Sequence, residues 1–302
     1  MVKYLITGGC GFIGSHLAKT LCSQGHTVCI LDNLSTGKRE NAPPEAELIV
    51  GDIRDKKILK EATQGISGCF HLAAIASMEK SILELSETHA VNVGGLLNLI
   101  EALVENGPVP LVYTSSAAVY GKSERLPLKE SEEVFPLSPY GVDKWSGEKH
   151  LAVAWHLHGI PSTSFRLFNV YGPGQDPHSP YSGVISIFTK KIAEGKKITI
   201  YGGGTQTRDF VYVQDVVKFL VLAMEKKMEG SLVFNIATGR AVTITDLAHL
   251  LETISKKSVL KEFAPARKGD IGASLGCSLA LESYFGVNAK TKLEEGLIKC
   301  VV

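Results

Sequence analysis

A tyrosine and a lysine four residues apart, Tyr140 and Lys144, are the side chains in this 302-residue chain with the clearest chemical use. At that spacing both lie on one face of a predicted helix and can reach the same ligand. Such a pair is usually a surface pair, so the pattern needs support from its context. That support is a predicted strand that ends in the hydroxyl-bearing run Tyr113 to Ser116, because doubly wound folds bind ligands at the carboxyl edge of the sheet.

A glycine cluster, Thr7 to Gly14, directly follows a predicted strand and opens a predicted helix, which is the context that a dinucleotide-binding fingerprint requires. Gly8 permits a tight turn, Gly11 lets the backbone approach a pyrophosphate, and Gly14 lets the helix pack closely on the strand. The helix N-terminus supplies N–H groups and a positive dipole for an anion. A plain structural turn is the alternative for the glycines alone.

Asp32 ends the second predicted strand, where a carboxylate can accept hydrogen bonds from an adenosine ribose. Its charge favours NAD over NADP, since a 2′-phosphate would be repelled. The nearby Lys38 and Arg39 keep NADP as an alternative, and a strand-end turn residue is the structural alternative for Asp32.

These groups together indicate hydride and proton transfer at one carbon. A free tyrosine has a pKa of about 10, so a base near neutrality needs a shift of about three units, or about 4 kcal/mol. We expect the Lys144 ammonium and the positive nicotinamide ring to favour the Tyr140 phenolate. Ser116 then holds the substrate hydroxyl whose proton moves to Tyr140.

Apolar runs that alternate with helical patterns predict an α/β fold, a Rossmann-like doubly wound parallel sheet with a smaller C-terminal substrate-binding α/β domain. The predicted strands of the sheet are Val2 to Thr7, Thr27 to Leu31, Glu47 to Val50, Gly68 to Leu72, Leu111 to Thr114 and Ser162 to Leu167. The predicted helices between them are Phe12 to Ser23, Ser86 to Glu105 and Tyr140 to His158.

The texture of the chain changes after about Asn169 to Gly- and Pro-rich loops with short strands. We expect residues 1–169 to form the NAD-binding domain, with a return segment near 215–236. Residues 170–302 are expected to form mainly the substrate-binding domain.

Composition narrows the class of partner. With 32 basic and 31 acidic side chains, the net charge of +1 predicts binding neither to nucleic acid nor to a membrane surface. The chain starts on a predicted strand with no signal-peptide pattern, so we expect a cytoplasmic protein. The six cysteines show no metal-ligand spacing, and no metal is expected.

With these residues the chain resembles the extended short-chain dehydrogenase/reductases, and within them the NAD-dependent UDP-glucose and UDP-N-acetylglucosamine 4-epimerases, over nearly its full length. The matching segments are Gly8 to Gly14, Asp32 to Gly37, Gly51 to Ile53, His71 to Ala74, Asn92-Val93, Ser115 to Gly121, Tyr140 to Lys144, Arg166 to Pro173, Arg208 to Phe210 and Arg267 to Asp270.

The resemblance implies a role for each matching position. Its catalytic residues would be Ser116, Tyr140 and Lys144. Its cofactor-binding residues would be Gly8, Gly11, Phe12, Ile13, Gly14, Asp32, Asn33, Ser35, Thr36, Gly37, Asp52, Ile53, Leu72, Ala73, Ala74, Ala76, Asn92, Thr114, Tyr140, Lys144 and Phe168. Its substrate-binding residues would be Ser77, Ser115, Ser116, Tyr140, Asn169, Val184, Thr199, Tyr201, Arg208, Arg267, Asp270 and Ser274.

The implied reaction is oxidation of a UDP-hexose at C4, rotation of the 4-ketose, and return of hydride to its other face, with NAD kept bound. Arg208 and Arg267 carry forked donors that suit a diphosphate, and Asp270 can accept from ribose hydroxyls. Surface or structural ion pairs are the alternative for both arginines. The resemblance also implies a homodimer built on the two long helices.

Three alternatives share the fold. A dehydratase or decarboxylase is disfavoured because Ala117 and Ala118, which follow the catalytic serine, cannot transfer protons. An NAD(P)-dependent nucleotide-sugar reductase would use the same three catalytic residues. A non-catalytic NAD-binding sensor is the alternative from another class, and the complete set of Ser116, Tyr140 and Lys144 argues against it.

The sugar is predicted from one position. In the resembled family, the residue four positions after Asp270 is often a tyrosine that walls off the substituent at C2, and here it is Ser274. With the small Ala76 and Ser77, this predicts room for an N-acetyl group as well as a hydroxyl. A loop residue that points away is the alternative for Ser274.

Overall fold

The computed structural model of the protein describes residues 2–179, 182–226, 228–266 and 271–301. The chain forms two compact units. The first unit comprises Met1–Val119, Pro136–Arg166 and Val217–Phe234. The second unit comprises Tyr120–Phe135, Leu167–Val216 and Asn235–Val302.

The strands are β1 (Lys3–Thr7), β2 (Thr27–Asp32), β3 (Glu47–Val50), β4 (Gly68–His71), β5 (Leu111–Ser116), β6 (Ser162–Leu167), β7 (Asn169–Tyr171), β8 (Ile198–Tyr201), β9 (Thr207–Arg208), β10 (Phe210–Tyr212), β11 (Ser231–Ile236), β12 (Val242–Thr243) and β13 (Lys261–Ala264). The α-helices are α1 (Phe12–Ser23), α2 (Lys56–Ala62), α3 (Met78–Leu83), α4 (Leu85–His89), α5 (Gly95–Asn106), α6 (Pro139–His158), α7 (Val184–Ala193), α8 (Val213–Glu225), α9 (Ile244–Ser255), α10 (Leu279–Phe285) and α11 (Leu293–Ile298).

A seven-stranded sheet organises the first unit, in the order β11-β6-β5-β4-β1-β2-β3. The neighbouring strands from β3 to β5 pair in parallel. The order of the strands reverses between β1 and β4, and ligands of such sheets bind outside the carboxyl ends of the strands at this switch point. The predicted Rossmann-like α/β fold is confirmed.

The long helix predicted over Ser86 to Glu105 is interrupted. Its α4 and α5 portions are separated by a π-helical segment, Ala90–Gly94. A π-helical turn inserts an extra residue into the helix and often marks a functional position. Helices α2 and α3 were not predicted, because segments of seven and six residues are too short to show a helical period.

Helix α6 has clear local signals at both ends. The Ser138 side chain accepts a hydrogen bond from the Gly141 backbone N–H, and Pro139 occupies the first turn. Gly159 ends the helix in the left-handed conformation, with φ of 66°. These signals set where α6 begins, and therefore where Tyr140 and Lys144 lie relative to the end of β5.

The second unit contains three two-stranded sheets, β10-β7, β12-β9 and β13-β8. The buried Asp209 carboxylate connects its loops by accepting hydrogen bonds from the backbone of Thr238, Gly239 and Gly276. Within the described part of the chain, no helix combines the length and apolar character needed to cross a membrane.

Candidate active site

The glycine loop lies at the switch point of the sheet. Gly8 has φ of +74°, and a Cβ at that position would lie 2.7 Å from the backbone nitrogen of Ala73. A Cβ on Gly14 would lie 2.2 Å from the Gly8 carbonyl oxygen, so α1 packs on the loop where only glycine fits. At Gly11 a Cβ would meet only that same carbonyl, at 3.3 Å. This position is therefore open on its other sides, as the approach of a pyrophosphate requires.

The N-terminus of α1 has no competing anion of its own. Gly11 is its N-cap, no side chain caps it, and the first turn contains no acidic residue. The first backbone N–H groups of a helix lack partners within the helix and favour a negative group. Phe12 and Ile13 form the first turn and are partly exposed, so this end of α1 fits the pyrophosphate of a dinucleotide.

Asp32 organises the two turns at its end of the sheet. Its Oδ2 accepts from the Cys10 backbone N–H at 2.9 Å, and its Oδ1 accepts from the Leu34 N–H at 2.8 Å. The carboxylate therefore connects the glycine loop to the turn after β2. Each carboxylate oxygen accepts more than one hydrogen bond, so both keep capacity for ribose hydroxyls.

The remaining residues expected near the adenosine lie on exposed turns. Asn33, Ser35 and Thr36 are exposed after β2. Asn33 donates to Asp52 Oδ2 at 3.1 Å, and Arg54 donates to both oxygens of Asp52. These bonds, of which that from Arg54 is the strongest cause, lower the pKa of Asp52 to about 2.

Two further cofactor positions follow on the same edge of the first unit. The backbone of Gly37 packs against Cys10, where an added Cβ would lie 2.9 Å from the Cys10 carbonyl carbon. Ile53 is buried beside Gly95 of α5. Gly37 thus extends the contacts of the glycine loop, and Ile53 anchors the turn that carries Asp52.

Asn92 positions the loop after β4. Its Oδ1 accepts from the Ile75 backbone N–H at 2.7 Å, and its Nδ2 donates to the Ile75 carbonyl at 3.2 Å. Asn92 is buried within the π-helical segment. Its side chain thereby fixes the loop that presents Leu72, Ala73 and Ala74, all partly exposed. Sequence reasoning placed Asn92 at the cofactor and missed this link.

The three predicted catalytic residues lie together in the first unit. Lys144 Nζ donates to the Thr114 carbonyl at 2.7 Å. The Ser116 hydroxyl lies close enough to Tyr140 to lower the pKa of its phenol, and the Ala118 backbone N–H donates to Ser116 Oγ at 3.1 Å. The end of β5 and the first turn of α6 therefore bring a phenol, a hydroxyl and an amine to one place, as acid–base catalysis requires.

Burial opposes the charge that each of these groups needs. It raises the pKa of Tyr140 to about 12, although the Ser116 hydrogen bond acts in the opposite direction. It lowers the pKa of Lys144 to about 7, against the attraction of Asp143 and Glu148. The acidification expected from Lys144 and the nicotinamide ring together stays a prediction, since in the polypeptide alone a buried site disfavours both charged forms.

The Ser115 side chain belongs to a buried polar network. Its hydroxyl donates to Glu148 Oε1 at 2.6 Å, and the Arg166 guanidinium donates to both Glu148 oxygens at 2.9 and 2.8 Å. The hydroxyl predicted to contact substrate is thus engaged by Glu148. Sequence reasoning missed Glu148, which carries no motif of its own and is recognisable only once α6 is placed against β5 and β6.

Other predicted substrate residues of the first unit serve local structure as well. The Ser77 hydroxyl caps α3 by accepting from the Lys80 backbone N–H. Its neighbour Ala76 is exposed, whereas Ser77 is buried. A capping hydroxyl keeps its own O–H to donate, so a contact with a ligand is compatible with this geometry.

Several predicted substrate residues lie in the second unit. Thr199 and Tyr201 alternate with the buried Ile198 and Ile200, so they share one face of β8. Val184 is the first residue of α7. Two further positions lie at or next to β7: Phe168, which is predicted to bind the cofactor, is buried against Gly276, and the predicted substrate residue Asn169 is exposed.

Arg208 and Ser274 meet at one carbonyl. Arg208 Nη1 donates to the carbonyls of Thr207 and Ile271, both at 2.9 Å. The Ser274 backbone N–H donates to the same Thr207 carbonyl at 3.1 Å, and Ser274 is 5% exposed. The structure therefore holds the predicted diphosphate and sugar residues side by side. Arg267 and Asp270 lie outside the described residues.

Comparison with known proteins gives the family. The NAD dependent epimerase/dehydratase family matches residues 4–237. The structure of a UDP-glucose 4-epimerase from Thermotoga maritima with UDP-glucose has a TM-score of 0.95 and 37% identity, covering 99% of this chain and 97% of that one. That of a UDP-N-acetylglucosamine 4-epimerase from Methanobrevibacter ruminantium in complex with UDP-N-acetylmuramic acid has a TM-score of 0.94 and 35% identity, with the same coverage.

A relative with a different reaction is similar to nearly the same degree. A UDP-N-acetyl-alpha-D-glucosaminuronate decarboxylase from Bacillus cytotoxicus is 36% identical over 272 residues, 85% of this chain and 81% of the relative. The fold, the glycine loop and the paired Tyr140 and Lys144 agree with all of these similarities. The chain belongs to the NAD dependent epimerase/dehydratase family.

Proposed function

We propose that this enzyme catalyses NAD-dependent 4-epimerisation of a UDP-hexose through a transient 4-keto intermediate. The observation that carries the proposal is the grouping of three side chains: Ser116 lies close enough to Tyr140 to act on its phenol, and the Lys144 amine, fixed to the Thr114 carbonyl, lies 5.9 Å from the centroid of the Tyr140 ring. Such a set moves a proton between a sugar hydroxyl and a phenol. NAD, for which the glycine loop is shaped, supplies the hydride acceptor when it is bound.

Each side chain then has a distinct task. Ser116 orients the C4 hydroxyl, Tyr140 accepts its proton and later returns one, and Lys144 favours the phenolate. Because the polypeptide raises the Tyr140 pKa to about 12, the positive charge of the oxidised cofactor must supply much of the acidification.

We propose that residues of the second unit hold the uridine diphosphate. Arg208 supplies forked donors to the diphosphate. Thr199 and Tyr201, on one face of β8, are assigned to the same ligand. Arg267 and Asp270 are assigned the same ligand from the family resemblance. A 4-ketose must turn while its nucleotide stays bound, so the enzyme gains most by concentrating binding energy on the nucleotide.

The proposed substrates include UDP-glucose and UDP-galactose as well as the N-acetylated pair, UDP-GlcNAc and UDP-GalNAc. The small Ser274 side chain supports this breadth, since a tyrosine there would fill the space of an N-acetyl group. Its burial next to Arg208 supports an inward position over the loop alternative.

The rival reactions differ in the groups they need. Dehydration and decarboxylation require a further acid or base, and Ala117 and Ala118, in the turn that follows β5, provide none. A nucleotide-sugar reductase would consume reduced cofactor in proportion to product. A sensor would bind NAD without turnover, and the buried amine of Lys144 would then have no use.

We further propose a homodimer. Helix α6 exposes Val142, Val153 and Leu157, and the segment over α3 and α4 exposes Ile82 and Leu83. Apolar side chains exposed in this number favour contact with a partner surface. A second copy is the proposed partner, and light scattering of the purified protein tests this.

The deciding experiment is incubation with UDP-glucose, UDP-N-acetylglucosamine and UDP-glucuronate in separate tubes, without added reductant, followed by NMR of the products. The proposal predicts 4-epimers of the first two sugars and no net change in NADH. A 6-deoxy methyl resonance would indicate a dehydratase, a pentose product a decarboxylase, and unchanged sugars a sensor.

A further inference from the structure

A stacked pair of rings lies next to Lys144 in the first unit. His71 on β4 and Tyr113 on β5 are register partners, and their rings are 5.8 Å apart with an interplanar angle of 15°. Lys144 Nζ lies 4.8 Å from the centroid of the Tyr113 ring. A cation within about 6 Å of a ring face is attracted to it, and more strongly when water is excluded. Tyr113 is only 1% exposed.

The hydroxyl of Tyr113, unlike its ring, makes no contact of this kind with Lys144. It is buried without a hydrogen-bond partner among the described residues. A Cβ on Gly147 would lie 2.5 Å from this oxygen, so the hydroxyl packs against α6 where a glycine leaves room. An unpaired buried hydroxyl is a cost to folding. The ring, and not the hydroxyl, is therefore the part of Tyr113 that acts on the site.

The two carboxylates that attract Lys144 also have hydrogen-bonded partners of their own. Asp143 contacts the His89 ring at 2.8 Å, and Glu148 is paired with Arg166. His71 stays neutral, because burial and the nearby Lys144 lower its pKa to about 3.

The charged and neutral forms of the Lys144 amine are close in free energy near pH 7. Burial brings its pKa to about 7, so modest stabilisation decides whether the amine is charged near neutrality. The Tyr140 ring lies farther from the amine than the Tyr113 ring, with its centroid 5.9 Å from Nζ. Tyr113 therefore offers the nearest π face to this amine.

We propose that Tyr113 is a positioning residue whose ring face holds the Lys144 amine as an ammonium and so sustains the positive charge that the Tyr140 phenolate needs. The inference deepens the proposed function, and only its kinetic part rests on that function. Tyr113 on β5 would then have an electrostatic role as well as a packing role.

The test compares aromatic side chains at position 113 that have nearly the same shape but different electron density on the ring face. In one variant Tyr113→Phe removes only the hydroxyl, and in the other a trifluorinated phenylalanine is placed at position 113 by nonsense suppression. Fluorination weakens the negative ring face and nearly preserves the volume. Each protein is prepared with NAD bound, and each is paired with its own Tyr140→Phe counterpart.

The first readout is the pH titration of tyrosinate ultraviolet absorbance, taken as the difference within each pair, which isolates Tyr140. It uses no sugar, so it stands even if the proposed substrate is wrong. We expect the Phe variant to titrate like the wild type. The fluorinated variant should titrate about half a unit to one unit higher, since less ammonium is present.

The second readout is kinetic. The fluorinated variant should lose roughly three- to tenfold in kcat at pH 7, with KM nearly unchanged and the rate recovered at higher pH. Equal titrations of the Phe and fluorinated variants would overturn the role of the ring face. If the Phe variant already showed the whole shift in the Tyr140 titration, the effect would belong to the Tyr113 hydroxyl. This result too would overturn the role of the ring face.

Discussion

Lys144 Nζ lies 2.7 Å from the carbonyl oxygen of Thr114, so a side chain of α6 is fixed to the strand that ends at Ser116. The bond places a buried amine, 3% exposed, between the first turn of a helix and the edge of a sheet. A buried amine is a weaker base than an exposed one. Burial brings the pKa of Lys144 to about 7, so small electrostatic changes decide whether its amine is charged.

The burial of the Lys144 amine should make the unfolding free energy of the apoprotein depend on pH. The Lys144 pKa falls from 10.5 to about 7 on folding, so the unfolded chain binds more protons between these two values. Stability then rises with pH across that window. We expect Lys144→Met to be more stable than the wild type at pH 7, with the difference narrowing by roughly 3 kcal/mol toward pH 10.

Urea unfolding of the apoproteins at several pH values measures this difference. Lys149→Met, at an exposed position of the same helix, is the matched control and should differ from the wild type by a constant amount. A constant difference for Lys144→Met as well would contradict a depressed Lys144 pKa.

Tyr140→Phe should abolish proton transfer and leave the fold and NAD content intact. The Ser116 hydroxyl acts on the Tyr140 phenol, and we expect removal of the phenolic oxygen to disturb little structure. We expect kcat to fall by about 10³-fold or more, as loss of an essential acid–base group does. Product formation by NMR and bound NAD by absorbance measure the two effects, and a near-normal rate would remove Tyr140 from the mechanism.

Glu148→Gln should destabilise the protein through Arg166. The two side chains are 3% and 5% exposed, and the variant leaves a buried guanidinium without its counter-charge. Breaking a buried pair in this way typically costs about 3–5 kcal/mol. Urea unfolding measures the loss. Glu101→Gln, in the exposed pair with Lys56, is the control and should change stability by less than about 1 kcal/mol.

Two glycines of the cofactor loop should separate folding from cofactor binding. Gly14→Ala places a Cβ 2.2 Å from the Gly8 carbonyl oxygen, so it should displace the loop and lower both stability and NAD content. Gly11→Ala meets little of the protein, so it should keep the unfolding free energy within about 1 kcal/mol while NAD binding falls. Equal NAD occupancy in Gly11→Ala and the wild type would refute the pyrophosphate position.

Ser274→Tyr should discriminate between sugars. Ser274 is buried next to Arg208, and we expect a tyrosine at this position to fill the space proposed for the substituent at C2. We expect kcat/KM for UDP-N-acetylglucosamine to fall at least about tenfold more than that for UDP-glucose. Ser274→Ala is the control and should preserve the ratio. Equal losses on both sugars would contradict the pocket interpretation.

The residues whose functions depend on local chain geometry were recognisable without coordinates. The glycine loop is bounded by an apolar strand and an amphipathic helix, and the requirements at Gly8 and Gly14 arise within a few residues of chain. The four-residue spacing of Tyr140 and Lys144 likewise has a meaning once a helix is expected. These signals were sufficient to predict the Rossmann-like sheet and the pairing of phenol and amine.

The contacts that tune the site join residues far apart in the chain. Asn92 reaches Ile75, Ser115 and Arg166 reach Glu148, and the Tyr113 ring reaches Lys144. No spacing rule predicts such pairs, because they depend on the order of strands in the sheet and on the face that α6 presents to it. The short helices and the π-helical segment were invisible for a related reason, since they are set by packing and not by a hydrophobic period.

Sequence by itself therefore determined the family, the cofactor loop and the identity of the groups that can transfer a proton, because these depend on residue type and near-neighbour spacing. Tertiary structure alone decided the charge states of those groups, because a pKa depends on burial and on every charge nearby. The acidification of Tyr140 by Lys144 and the bound cofactor therefore stays a prediction: burial in the polypeptide alone disfavours the charged forms of both side chains.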